Sequence, residues 1–182
     1  MDIKKFNEDQ ILDLNEILKI IIPFDQKKGL PGADEIKFLN FLEKFHPYCI
    51  KNKVENWNNE NSVDYVHYYS GKIYKRKFIK WNHEGYVLEI YEERKLATIT
   101  WSVNGNEKSS NIKISAKLLL PYKSKFINSC VFHFYVKFVL KSYLNSVVKG
   151  LKYYSETNNI VIKDQFGKHI WYSQFGKYIG SV

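Results

Sequence analysis

Residues Phe126 to Glu156, FINSCVFHFYVKFVLKSYLNSVVKGLKYYSE, decide the fold class of this chain. Val136, Leu140, Leu144, Val147, Leu151 and Tyr154 recur at helical spacing, with Val139 and Tyr143 beside them. Lys137, Lys141, Lys149 and Lys152 mark a wetter side. The pattern is one long amphipathic helix. Asn128, His133 and the lysines make it too polar to span a bilayer. Gly150 sits inside it at a cost of roughly 1 kcal/mol relative to Ala. Close approach of a strand or ligand would account for that glycine, and so would an ordinary helix irregularity.

Working backwards from the helix, the period of the apolar residues changes to two. Ile112, Ile114, Ala116, Leu118 and Leu120 alternate with polar residues until Pro121 stops the strand. Before them Ile99, Trp101 and Val103 alternate with Thr98, Thr100 and Ser102, and Asn104-Gly105 between the two runs is a hairpin turn signal. Val63–Tyr69, Lys72–Trp81 and Tyr86–Glu93 read as three further strands, joined near Ser70-Gly71 and Asn82–Gly85. Each has one face for a core and one for water, as antiparallel sheets do.

Ahead of the strands lies a different region. Asn7 is an N-cap signal followed by Glu8 and Asp9, and Ile11, Leu14, Leu18, Ile21 and Ile22 follow at helical spacing up to Pro23. Gly29-Leu30-Pro31-Gly32 breaks the chain, and Ala33 to Phe45 predicts a second helix ended by Pro47. The two make a helical hairpin. Lys51 to Ser62, rich in Asn, is the natural boundary, which divides the chain into a helical module over 1–58 and a sheet-plus-helix unit over 59–182.

Composition narrows the function classes. Apolar residues are 45% and aromatics 16% of 182 residues, enough for a sizeable core and rich in large side chains for a pocket. The net charge of +9 is uneven: residues 1–60 carry −2 and residues 61–182 carry +11. A basic second half suits nucleic acid, an anionic membrane surface or acidic small molecules, and Lys-rich, Asn-rich usage also follows from an AT-rich genome. Cys49 and Cys130 form no CxxC pair, which fits reduced thiols and a cytoplasmic protein. Acidic residues rather than an apolar run follow Met1–Lys5, which argues against a cleaved signal peptide.

The chain carries no signature of a reaction. There is no GxSxG, HExxH, GxGxxG, Walker-type loop or EF-hand, and so no expected catalytic residue, cofactor or metal. Cys130 and His133 stand three apart on the helix, but a metal site would need further ligands. Lys75-Arg76-Lys77, interleaved with Tyr74 and Phe78, resembles a basic aromatic stripe for nucleic acid, yet strand alternation divides these charges between two faces. An inward Arg76 beside Tyr74 and Phe78 would instead pair with a ligand carboxylate. In the tail, Gln165–Ile170 recurs nine residues later as Gln174–Ile179, either a duplication that covers a sheet edge or part of the helix, or a chance echo.

The strand succession, the Trp101 strand, the Asn104-Gly105 signal and the helix ending Ser146–Tyr154 resemble the SRPBCC (START-like, Bet v 1-like) superfamily over about residues 63–173. The resemblance implies a curved sheet that wraps a long C-terminal helix, with an apolar ligand in the gap. It also implies a strand at the start, for which Glu16–Phe24 would serve, with Asp34–Phe45 as the first small helix; helical spacing and Pro23 favour a helix over Leu12–Ile22 instead. Separately, Ile20–Asp25, Pro31-Gly32-Ala33 and Phe38–Phe41, within residues 11–45, are similar to the small third subunit of gluconate dehydrogenases. That resemblance implies an accessory role in a dehydrogenase-type complex, with the N-terminal helices docking a protein partner.

The expectation is therefore an α+β protein. A helix-grip-like curved antiparallel sheet packs on a long C-terminal helix, with an N-terminal helical hairpin. The expected function is non-catalytic binding of a small hydrophobic or amphipathic ligand, such as a lipid, between sheet and helix. The implied ligand-binding residues are Arg76, Ile99, Trp101, Val103, Ile114, Ala116, Leu118, Tyr135, Val139, Tyr143 and Val147. The rival expectation is an interaction subunit with a filled core.

Overall fold

The computed structural model describes residues 18–24, 41–57, 61–82, 85–106 and 109–174. Among these described residues, seven strands form one antiparallel sheet: β1 (Leu18–Phe24), β2 (Cys49–Asn56), β3 (Val63–Tyr68), β4 (Ile73–Asn82), β5 (Gly85–Tyr91), β6 (Lys95–Asn106) and β7 (Ser109–Leu118). Their order across the sheet is β1-β7-β6-β5-β4-β3-β2, so a six-strand meander is closed on one side by the first strand. A short helix α1 (Phe41–Phe45) precedes β2. After β7 comes a long helical rod: α2 (Lys125–Val131), a π-helical segment (Phe132–Val136) and α3 (Lys137–Thr157).

Alternation explains β3 to β7. Asp64, Val66 and Tyr68 of β3 and Tyr74, Arg76 and Phe78 of β4 are buried on one face, with half-buried residues between them. Register shifts at Phe78/Lys80 in β4 and Ile90/Tyr91 in β5 insert irregularities of the kind that bend strands and strengthen twist. The core lies between the sheet and the rod. Val66, Tyr68, Tyr74, Trp101, Ile112, Ile114 and Ala116 meet Leu140, Leu144, Val147, Val148 and Leu151 there.

Three expectations are corrected. The helix expected to run from Asn7 to Ile22 is, in its described part, the edge strand β1, paired from Leu18↔Ala116 to Phe24↔Ser110. Ile20, Ile21 and Ile22 are β-branched and suit a strand, and Pro23 is tolerated because an edge strand needs ladder partners on one side only. Residues 1–17 and 25–40, including most of the expected second helix, lie outside the described residues. The polar stretch over 51–62 expected as a boundary contains most of β2, the other edge. Its exposed Lys51 and Lys53 suit an edge, where charge discourages pairing with other chains. Strands from both expected units thus share one sheet. Finally, Asn104 and Gly105 do not turn the chain: they pair with Asn111 and Ser110 inside the β6–β7 ladder.

Gly150 also finds its reason. A Cβ placed there would stand 2.1 Å from the Phe45 carbonyl oxygen, so the glycine lets α3 lie directly against the end of α1. Beyond α3, Asn158 adopts a left-handed conformation (φ 59°) and caps the rod. The tail then returns over α1 and the β2–β3 side. Val161 N–H donates to Lys44 O (2.9 Å), Asp164 N–H to Pro47 O (3.0 Å), and Ser70 N–H to Tyr172 O (3.0 Å).

Candidate functional site

Between the concave sheet face and the rod is a pocket of about 440 Å³. Its walls differ in chemistry. On the β5–β7 side it is lined by Leu88, Ile90, Ile99, Trp101, Ile114 and Leu118, and the rod adds Val136, Leu140, Leu144 and Val147. On the β3–β4 side the lining is Tyr68, Tyr74 and Arg76, joined by His46 after α1, Tyr143 on α3, and Trp171 and Tyr172 from the tail. Leu119, Leu120 and Pro121, directly after β7, also line it, as do Lys72, Glu92 and Arg94 from the two strand connections at the same end of the sheet.

The polar groups on the β3–β4 side are tied together. Arg76 is the direct cross-strand partner of Asp64. Both side chains are buried, and the guanidinium grips the carboxylate through Nε (2.7 Å to Oδ1) and Nη2. Burial works against the Arg76 charge, but attraction and hydrogen bonding to Asp64 raise its pKa overall. The expected ligand-facing Arg76 is thus inward beside Tyr74 and Phe78, with the carboxylate supplied by the protein itself. Its guanidinium lies 5.4 Å from the Phe78 ring centre.

His46 begins a directional chain. Tyr48 N–H donates to Nδ1 (3.2 Å), so the neutral ring carries its hydrogen on Nε2 and donates it to the Tyr143 hydroxyl (2.9 Å). Tyr143 stands 3.2 Å from the Tyr68 hydroxyl and, having accepted from His46, is free to donate to it. Burial, and then repulsion from Arg76, hold the His46 pKa down at about 3. Burial raises the pKa of Tyr68, Tyr143, Tyr86 and Tyr172 above the ordinary phenol range. This side of the pocket therefore presents neutral hydroxyls around one compensated ion pair. With its pKa held so low, the His46 ring is a poor base at neutral pH.

The tail is fastened by a second histidine. Trp171 N–H donates to His169 Nδ1 (3.3 Å), which leaves Nε2 to donate to the Val139 carbonyl (3.0 Å). His169 N–H also donates to Ser173 Oγ (2.7 Å), and Ser173 Oγ donates to Asp164 Oδ1 (2.5 Å). The His169 ring stacks on Tyr172 at 5.2 Å. These bonds hold Trp171 and Tyr172 against the pocket. The first copy of the tail duplication, Gln165–Ile170, is part of this segment, and most of the second lies beyond the described residues.

Of the ligand-binding residues expected from sequence, the pocket brings together Arg76, Ile99, Trp101, Ile114, Leu118, Tyr143 and Val147. Ala116 is buried in the core but is absent from the lining. Tyr135 is turned outward, about half exposed, and its hydroxyl accepts from Trp171 Nε1 (3.3 Å). Val139 contributes only its carbonyl, to His169. The reason is helical phase: the series 135, 139, 143, 147 advances four residues a step, about 40° beyond a full turn each time. Three steps carry Tyr135 away from the face that Val147 occupies. Val103 sits in β6 opposite Ile112, and its side chain lies outside those described. Sequence reasoning missed Tyr68, Tyr74, Tyr86, His46 and Tyr172. Tyr68 and Tyr74 were within reach, since both follow the inward alternation of β3 and β4.

Among the described residues no cluster of three His, Cys, Asp or Glu side chains is placed to hold a metal ion. His133 Nδ1 instead donates to the Ser129 carbonyl (2.8 Å). Burial pushes the Cys49 thiol up to about 12, far from a reactive thiolate. In β4, Lys75 and Lys77 face away from the buried Arg76, so the three cations form no single stripe. No described helix is long and apolar enough to cross a membrane.

No known protein family matches the sequence, and no curated protein matches it significantly. Solved structures do share its fold. Ara h 8.0201 superimposes with a TM-score of 0.55 at 14% identity, covering 78% of this chain and 99% of its own. TTHA0849 from Thermus thermophilus gives 0.54 at 12% identity, covering 78% of this chain and 98% of its own. The di-domain ARO/CYC protein BexL of the BE-7585A biosynthetic pathway gives 0.53 at 9% identity, over 78% of this chain and 50% of its own. The shared fold is the helix-grip arrangement, a curved antiparallel sheet with a long C-terminal helix. The similarity to the gluconate dehydrogenase subunit is not shown by these comparisons; its residues lie outside the described ones except Ile20–Phe24, in strand β1, and Phe41, at the start of α1.

Proposed function

We propose that this protein binds a small apolar or amphipathic molecule in the pocket between sheet and rod, without transforming it. The observation that carries the reading is the space itself. A volume of about 440 Å³ lies within the range of small-molecule sites, roughly 300–1,000 Å³. Its aliphatic wall offers burial at about 25 cal/mol per Å² removed from water. The tyrosine-rich wall adds hydroxyls and aromatic edges that would orient an oxygen-bearing ligand. Neighbours of the same fold that belong to biosynthetic pathways, such as BexL, accord with a small organic ligand.

Binding without reaction is favoured by the state of the polar groups. His46 is neutral and engaged at both nitrogens, and the Arg76 charge is already matched by Asp64. The test is native mass spectrometry of protein purified from its own host. The expected result is a co-purified organic molecule released on unfolding and absent from a Leu140→Trp variant, in which the indole fills the space. A spectrum holding only the bare chain, together with no binding of apolar probes, would contradict the proposal.

A further inference from the structure

The rod has two faces, and the fold uses one. Val136, Leu140, Leu144 and Val147 point into the core and pocket, whereas Phe126, Phe134 and Phe138 are 77%, 82% and 65% exposed. Single exposed apolar residues need no explanation, but several large ones on one surface mark an interaction site. Their alignment depends on the π-helical segment. In an unbroken α-helix Phe126 and Phe134 would stand about 80° out of line, at about 100° per residue. The segment Phe132–Val136 bonds five residues back, as Lys137 N–H does to the Phe132 carbonyl, so each residue there turns through less and the offset narrows. Phe138 follows one turn after Phe134. Tyr122 and Ile127, both nearly half exposed, extend the apolar surface toward the start of α2.

Charge identifies what this surface meets. Between Glu107 and Glu156 the chain holds nine lysines and no Asp or Glu. Lys123, Lys125 and Lys141 are exposed along the rod and its approach. We propose that this face docks on an anionic lipid membrane surface. Phe126, Phe134 and Phe138 enter the boundary between headgroups and acyl chains, and the lysines meet lipid phosphates. The phenyl rings are exposed along a single helical rod, an arrangement that suits insertion among lipids. Cationic flanks without one interspersed acid suit a continuous anionic surface. Leu119, Leu120 and Pro121 line the pocket, and the next residues, Tyr122 and Lys123, belong to the docking face. The membrane would thus border the pocket rim, although docking itself needs no ligand.

The test uses the full chain and vesicles of equal parts phosphatidylcholine and phosphatidylglycerol, compared with phosphatidylcholine alone, read by co-flotation. Three double variants discriminate: Phe134→Ser with Phe138→Ser, Lys125→Glu with Lys141→Glu, and Lys51→Glu with Lys53→Glu on the exposed face of β2. All six positions avoid the core, and thermal unfolding checks that the fold is kept. Binding to the anionic vesicles only is expected. So is a loss of roughly tenfold or more in the first two variants and much less in the third, since burial of aromatics and local lysines supply the affinity. Absence of binding would overturn the proposal. So would full binding by the phenylalanine variant, which would reduce the effect to adsorption of a basic chain. A shift of that variant from dimer to monomer would overturn it too, by making a second copy the occupant. Leu140→Trp should dock like the wild type, so failure of the ligand reading and failure of this one are separable.

Discussion

The two halves of the pocket wall were made from the same strand alternation but hold together by different means. On β6 and β7, Ile99, Trp101, Ile114 and Leu118 contribute apolar surface, and each can be exchanged for another hydrophobe of similar volume at small cost. On β3 and β4 the polar groups are paired instead: Arg76 with Asp64, and His46 with Tyr143, which in turn meets Tyr68. The aliphatic half tolerates gradual change. The polar half should fail abruptly, because a buried group that loses its partner costs more than the contact itself was worth.

The largest effect tests that difference. Asp64→Ala leaves the Arg76 charge buried and unmatched, and should cost about 3–5 kcal/mol in denaturant unfolding. Replacing both residues, as Asp64→Leu with Arg76→Leu, should recover most of that loss. A double variant no more stable than the single one would mean that the pair itself stabilises the fold. On the other half, Ile114→Ala should cost about 2–5 kcal/mol through lost burial and a cavity, with no dependence on pH. Where α3 meets α1, Gly150→Ala drives a methyl into the Phe45 carbonyl, and overpacking of this kind should cost about 1–3 kcal/mol.

The smallest effect per step is the most diagnostic of the polar half. In the unfolded chain His46 takes up a proton below about 6.5, whereas in the fold it does so only near 3. The contribution of neutral His46 is therefore complete above pH 6.5 and drains away as pH falls toward 3. The slope is about 1.4 kcal/mol per pH unit from this residue. Unfolding curves collected across that window should be flatter for His46→Asn than for wild type. Parallel slopes would show that His46 is accessible to protons in the fold.

Much of this architecture was legible. Strands β3 to β7 follow a period of two, and Val136, Leu140, Leu144, Val147 and Leu151 are buried as their helical spacing requires. Periodicity revealed neither edge strand, for opposite reasons, although the resemblance to the START-like superfamily offered Glu16–Phe24 as a first strand, where β1 (Leu18–Phe24) is found. In β1 the run Ile20–Ile22 fits helical as well as extended spacing, and only pairing with β7 decides between them. In β2 the composition is that of a loop, because an edge strand with much of its surface wet needs few apolar residues. The site was read in part. Alternation located Ile99, Trp101, Ile114 and Leu118, and turned Arg76 inward, but its partner Asp64 was not foreseen. That pairing depends on a cross-strand register that two separate strand patterns do not reveal. The phase error at Tyr135 and Val139 and the π-helical segment both belong to the rod's geometry, which residue spacing describes only on average. His46, Trp171 and Tyr172 come from a short helix and a tail, and tertiary packing alone carries them to the pocket.

The central claim is that free space remains between the concave sheet and the rod. Its most direct measurement is titration of the wild type and of Leu140→Trp with the neutral apolar fluorophore N-phenylnaphthylamine. The expected result is saturable enhancement with one site per chain in the wild type, lost in the filled variant while thermal stability is retained. Equal binding by both proteins, or by neither, would contradict it.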